Sequence, residues 1–296
     1  MKELALKSRE TEELIDIYFY RPLGYGVAKV AKKLGLTPNI VSILAGIIGV
    51  IAGHLFYYTS LKINLIGIAL FIISDIFDSA DGVLARITNN KTTTGRILDG
   101  ISGNAVFLSI YVHLALRLYN ELGSVLYIGL VFLAVVSHSI QFPIADFYRN
   151  AYLYIVIDKK KAELDSLSSG APLNAGASTS IYYKLYSAVL GIQRLFTKSF
   201  KSLYDLVNNK YPEEILPALR EEYKRLNQPL IKYYNFLTIN SRIIILIISL
   251  LFREPIIFIV ATIVLYNLVL VYVIVVENKY ADKLLQLLKS NDMVNA

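Results

Sequence analysis

Residues 63–86 read INLIGIALFIISDIFDSADGVLAR, and the fold turns on how this stretch is read. Its first eleven residues carry one polar side chain, Asn64, and then three aspartates follow within seven positions. At 1.5 Å per residue, a helix of this length crosses the roughly 30 Å of a bilayer's hydrocarbon. An ionised group at the centre of such a helix costs about 2.5–3.5 kcal/mol, so acids gathered at one end call for a reason. The whole composition agrees with a lipid setting: 55% apolar residues, 18% charged residues and a mean hydropathy of +0.51. A water-soluble domain carries about 25% charge and 45–50% apolar residues. The chain has no Cys, which excludes disulfides, thiolate zinc sites and thiol nucleophiles. Three His give no basis for an all-imidazole metal site.

Working outward, spans are expected at 40–58, 63–85, 97–119, 125–145 and 255–276, with a sixth at 236–252 interrupted early by Asn240, Ser241 and Arg242. Six spans put 27 of the 30 Lys and Arg on one side and leave Lys62, Arg117 and Arg253 on the other. The positive-inside rule then places both termini in the cytoplasm. A basic surface beside anionic lipid accounts for the net charge of +7 without nucleic acid. The expected fold class is all-α: a polytopic membrane helix bundle with six transmembrane helices, an N-terminal interfacial helix and a helical cytoplasmic insert. Its parts are a cytoplasmic or interfacial segment (1–38), spans one to four (39–146), the insert (147–235), spans five and six (236–277) and a cytoplasmic tail (278–296).

Within the first part, residues 12–34 mix Ile, Tyr, Phe, Val and Leu with Lys29, Lys32 and Lys33, a composition that suits a helix lying in the interface. In the insert, residues 166–180 (SLSSGAPLNAGASTS) read as a flexible linker. Residues 181–208 and 213–235 read as amphipathic helices. Their Lys198, Lys201, Lys210, Lys224 and Arg225, beside Tyr and Leu, point to membrane-surface binding ahead of roofing the site or mediating association.

The acids carry the functional reading. Asp75, Asp78 and Asp81 stand at steps of three, so Asp78 and Asp81 share a helix face with Gly82 and Ala85. Arg86 follows, and the next span opens with Gly95 and Asp99 one turn apart. Antiparallel neighbours joined by a short loop bring Asp78, Asp81 and Asp99 together. Three carboxylates in a partly dehydrated pocket repel one another unless a cation lies between them, and hard oxygen donors select Mg²⁺ or Mn²⁺. Such an ion keeps positions for a phosphorylated substrate. Asp146 and Arg149, at the end of span four, are expected to help form an acceptor pocket. Arg242, at the start of span five, is expected to contact an acceptor phosphate or to snorkel to the interface.

As they stand, these residues read D-x2-D-G-x2-A-R-x8-G-x3-D-x3-G over 78–103. The pattern resembles the signature of the CDP-alcohol phosphatidyltransferases, D-x2-D-G-x2-A-R-x8-G-x3-D-x3-D, in every spacing and in seven of eight fixed positions. Thr37, Pro38 and Asn39, just before span one, are similar to that family's lead-in. The resemblance implies transfer of a phosphatidyl-type group from a CDP-linked lipid to an alcohol, with release of CMP. It implies that Asp78, Asp81 and Asp99 hold a pair of Mg²⁺ or Mn²⁺ ions, that Gly82, Ala85 and Arg86 receive the CMP moiety, and that Gly95 permits close approach beside it. Membrane lipids are the other implied partners, and a homodimer is an allowed assembly.

The eighth position departs: Gly103 stands where the family has the Asp credited as general base and as a further metal ligand. Impaired or altered transfer is expected, with Asp75 or Asp146 as substitute acids or with the metals and a water sufficing for a slow reaction. The alternative is a catalytically inactive family member that binds CDP-lipid or CMP as a regulatory or interaction protein. A prenyltransferase would carry a second Asp-rich motif far along the chain, and the later spans have none. Acids confined to one membrane face do not line an ion path.

Overall fold

The structure is a computed structural model, and it describes residues 8–90, 92–159, 162, 164, 191–211 and 215–290. Among these residues there is no strand, and six helical stretches are long and apolar enough to cross a membrane. The helices used below are α1 (Arg21–Lys33), α2 (Pro38–Leu55), α3 (Leu61–Ile87), α4 (Thr93–Leu122), α5 (Leu126–Tyr152), α6 (Lys198–Lys210), α7 (Pro217–Asn227), α8 (Ile231–Phe236), α9 (Ile239–Leu251), α10 (Ile256–Ile263) and α11 (Leu265–Lys289). The linker reading at 166–180 and the helix reading at 181–190 lie outside the described residues.

The helix ends follow local chemistry. Thr37 caps α2 by accepting a hydrogen bond from the Ile40 amide (3.3 Å), and Pro38 takes the first helical turn, where no amide is needed. Thr92 caps α4 in the same way through the Gly95 amide (3.0 Å). At its other end, α4 stops at Gly123, whose φ of 68° lies in the left-handed region that glycine adopts without a Cβ clash.

The chain divides into two compact units. The first comprises Met1–Val135 with Arg242–Ile263, and its centre is α2, which packs against both α3 and α4. This helix turns small residues inward (Ala45, Gly49, Ala52 and Gly53) and exposes Ile43, Ile47 and Ile51. Lipid already solvates large apolar side chains, so close backbone approach and polar bonds must hold helices together in a bilayer. Here the Ser74 hydroxyl donates to the Ala45 carbonyl (2.8 Å), and the Ser109 hydroxyl donates to the Val50 carbonyl (2.9 Å). A Cβ on Gly53 would meet Ser109 Oγ at 2.7 Å and the Ile110 backbone nitrogen at 2.9 Å. Backbone cannot step aside as a side chain can, so Gly53→Ala is expected to part α2 from α4 at a cost of about 1–3 kcal/mol. Thermal unfolding in detergent micelles should show a lowered midpoint for Gly53→Ala and none for Gly129→Ala, whose Cβ meets no atom within 4 Å.

Also in the first unit, α1 lies along α3. Ala28 and Ala31 pack on Ala80, Val83 and Leu84, and Lys32 Nζ donates to the Ile87 carbonyl (3.4 Å). The helical segment expected over 12–34 is therefore present, preceded by a wider turn at Asp16–Tyr20.

The second unit comprises Val136–Ser241 with Val264–Ala296. The part of α5 in this unit runs on past the expected span end at 145 and continues as a wider turn, Leu153–Ile157, because Tyr148, Tyr152, Leu153 and Ile155 are buried there. In the insert, the apolar faces of α6 and α7 turn into the unit. Phe200, Leu203 and Val207 of α6, with Leu219 and Tyr223 of α7, are buried inside the unit, and Phe200 meets the Phe147 ring at 5.4 Å. The apolar faces that could have rested on a membrane are spent on protein packing. Lys201 instead pairs with Asp205 (2.6 Å), and Arg225 and Lys283 share Glu222 (2.6 and 3.0 Å). Glu277 of α11 is buried and accepts a hydrogen bond from the Tyr234 hydroxyl.

Candidate functional site

Asp78 and Asp81 stand one turn apart on α3, and Asp99 stands in the second turn of α4. All three come together: each offers a carboxylate oxygen, and these oxygens lie within 4.8 Å of one another. Asp78 and Asp99 face outward, while Asp81 is 8% exposed. Ser42 and the Gly82 amide neighbour Asp81, whose Oδ2 is buried with no hydrogen-bond partner. A buried carboxylate oxygen without a donor, beside two further carboxylates, is a site short of positive charge. The donor set is oxygen alone, which fits Mg²⁺ or Mn²⁺ and disfavours softer ions.

The surrounding residues take distinct places. Gly95 sits in the α4 cap, and a Cβ there would come within 3.1 Å of both Asn39 Oδ1 and Thr92 Oγ1, so it is the chain's own cap and lead-in that approach Gly95 closely. This approach also explains the Thr-Pro-Asn lead-in, which caps α2 and sets Asn39 against Gly95. The Arg86 guanidinium folds back over Gly82, with Nη1 3.7 Å and Nη2 3.9 Å from where a side chain would begin. Ala85 precedes it on the last turns of α3. Gly103 lies one turn beyond Asp99, and a Cβ there would meet nothing within 4 Å.

Of the two substitute acids, Asp75 is engaged by the N-terminal segment, where it accepts a hydrogen bond from the Tyr20 hydroxyl. Burial first, and then the nearby carboxylates of Asp75 and Asp16, hold the Tyr20 phenol well above its ordinary pKa, so it remains a neutral donor. Asp146 belongs to the second unit, where it pairs with Arg149 (2.6 Å) and accepts from Asn150 Nδ2 (3.0 Å). Arg242, the first residue of the first unit's second segment, is buried. Sequence reasoning passed over Glu12, Tyr20, Arg21 and Ser42 near the acids. Only the amphipathic character of 12–34 hinted at the first three.

The CDP-alcohol phosphatidyltransferase family model matches residues 35–194, and the chain belongs to that family. The family and the six apolar helices together make it an integral membrane protein. Comparisons with curated proteins and with solved structures found no match.

Proposed function

We propose that this chain transfers a phosphatidyl-type group from a CDP-linked lipid to an alcohol and releases CMP. The observation that carries the reading is the convergence of Asp78, Asp81 and Asp99 within 4.8 Å at the family's motif spacing. In the reaction the acceptor hydroxyl oxygen attacks the lipid-linked phosphorus, the bond from that phosphorus to the CMP oxygen breaks, and the hydroxyl proton passes to a carboxylate or to water. Asp78, Asp81 and Asp99 would hold Mg²⁺ or Mn²⁺, two ions by family analogy, and such ions neutralise a diphosphate and the charge that develops on a leaving phosphate. The protein's own groups do the rest. By the family's motif Gly82, Ala85, Arg86 and Gly95 would receive the nucleotide, the Arg86 guanidinium would meet phosphate, and acids held on two helices would keep the reacting groups aligned.

At Gly103 no side chain can accept the hydroxyl proton, so we read the transfer as slow rather than absent. Asp75 and Asp146 remain candidate bases, and Arg149 and Arg242 remain candidates for acceptor binding. Both termini are read as cytoplasmic from the distribution of Lys and Arg, and a homodimer is compatible with this reading. The second reading, a family member that binds CDP-lipid or CMP without turnover, draws on the same bare position. CMP release by the purified chain, given CDP-diacylglycerol, Mg²⁺ or Mn²⁺ and a panel of alcohols, decides between them. Metal-dependent, alcohol-dependent CMP supports transfer, and binding without CMP supports the second reading.

A further inference from the structure

The segment preceding α1 brings charge to the motif from outside it. Arg21 Nε donates to Glu12 Oε2 (3.2 Å), with the Arg21 side chain 24% exposed and that of Glu12 only 8%. Arg86, folded back over Gly82, is within electrostatic reach of Arg21, Glu12 and Asp81. Two guanidiniums gathered in a partly dehydrated place repel one another unless anions balance them, and the Glu12 carboxylate, paired to Arg21, supplies that charge beside Asp81 on the Arg86 side. The arrangement is fixed by docking along α3: the Tyr20 hydroxyl bonds Asp75, and Gly24 lies so close that a Cβ would meet Ser79 Oγ at 2.8 Å. The fork of N–H groups on a guanidinium fits a phosphate as well as it fits a carboxylate.

We infer that Arg21 and Arg86 form an anion subsite for a substrate diphosphate, and that Glu12 is the chain's own anion, which the diphosphate displaces. The inference rests on the proposed function for the identity of the diphosphate and on the geometry for the subsite. Before substrate binds, Glu12 balances the two arginines, and Arg86 covers the Gly82 surface. Arrival of the diphosphate transfers both guanidiniums to phosphate oxygens, and Arg86 leaves Gly82 clear.

The test is calorimetric titration of inorganic pyrophosphate with Mg²⁺ into the full chain in detergent, for wild type, Glu12→Gln and Arg21→Gln. Both substitutions break the same ion pair, so a role limited to holding the segment in place would move both affinities the same way. The subsite predicts opposite signs: Arg21→Gln weakens binding about ten-fold or more, and Glu12→Gln strengthens it about five-fold. Arg21→Lys, which keeps the charge but loses the fork, falls between wild type and Arg21→Gln. Shifts of the same sign, unchanged affinities, or no pyrophosphate binding by any of the proteins would overturn the inference. CMP release from CDP-diacylglycerol is scored separately. Opposite shifts without CMP release keep the subsite and remove the reaction, whereas CMP release with shifts of one sign removes the subsite alone.

Discussion

Asp99→Asn is expected to reduce CMP release by roughly 10³-fold while making the metal-free protein harder to unfold. The two effects have one cause. Two unit charges 4.8 Å apart repel by about 3 kcal/mol at an effective dielectric constant of about 20, and three carboxylates approach one another to that distance here. An Asn keeps the shape of the side chain, removes one charge and offers an amide donor to Asp78, so the empty cluster relaxes. Under the proposed function the same change removes one of the three hard anionic ligands, and metal-ion stabilisation is worth several kcal/mol in a transition state, where each 1.36 kcal/mol is ten-fold in rate. Thermal unfolding in chelator should therefore show a higher midpoint for the variant, and a CMP assay should show the loss. If Asp99 were a solvated helix-end residue, neither property would move.

The second large effect runs in the opposite direction. Gly103→Asp is expected to raise the transfer rate by about 10²–10⁴-fold, the worth of a positioned general base. The position invites the change: it lies one turn from Asp99 on the same helix face, and a Cβ there meets no atom within 4 Å. Exchanging a mid-helix Gly for Asp also carries no penalty in helix propensity. Initial rates of CMP release for the two proteins, measured at equal metal and lipid, make the comparison. An unchanged or lower rate in the variant would mean that the base is supplied elsewhere or is not needed.

What could be read from the sequence depended on range. The meeting of Asp78, Asp81 and Asp99 was legible because each pair on one helix is fixed by the 3.6-residue period, and a short loop forces α3 and α4 to run back past each other. Thr37 was legible as part of a lead-in pattern, though not as the cap that seats Asn39 against Gly95. The glycines of α2 (Gly46, Gly49 and Gly53) carried a readable small-residue spacing that was passed over. The Tyr20–Asp75 bond joins residues 55 positions apart, and no periodicity encodes such a pairing. The insert shows a different limit. The pattern of Phe200, Leu203 and Val207 established that one face of α6 is apolar, but amphipathicity alone does not say whether lipid or protein covers that face.

The central claim is that the α3 and α4 carboxylates grip a divalent cation. Titration of Mn²⁺ into the metal-free protein, followed by the loss of the free-ion electron paramagnetic resonance signal, measures it most directly. The account predicts saturable Mn²⁺ uptake by the wild type, competition by Mg²⁺, and uptake weakened at least about ten-fold in Asp81→Asn and Asp99→Asn. Equal Mn²⁺ uptake by the wild type and both variants would contradict it.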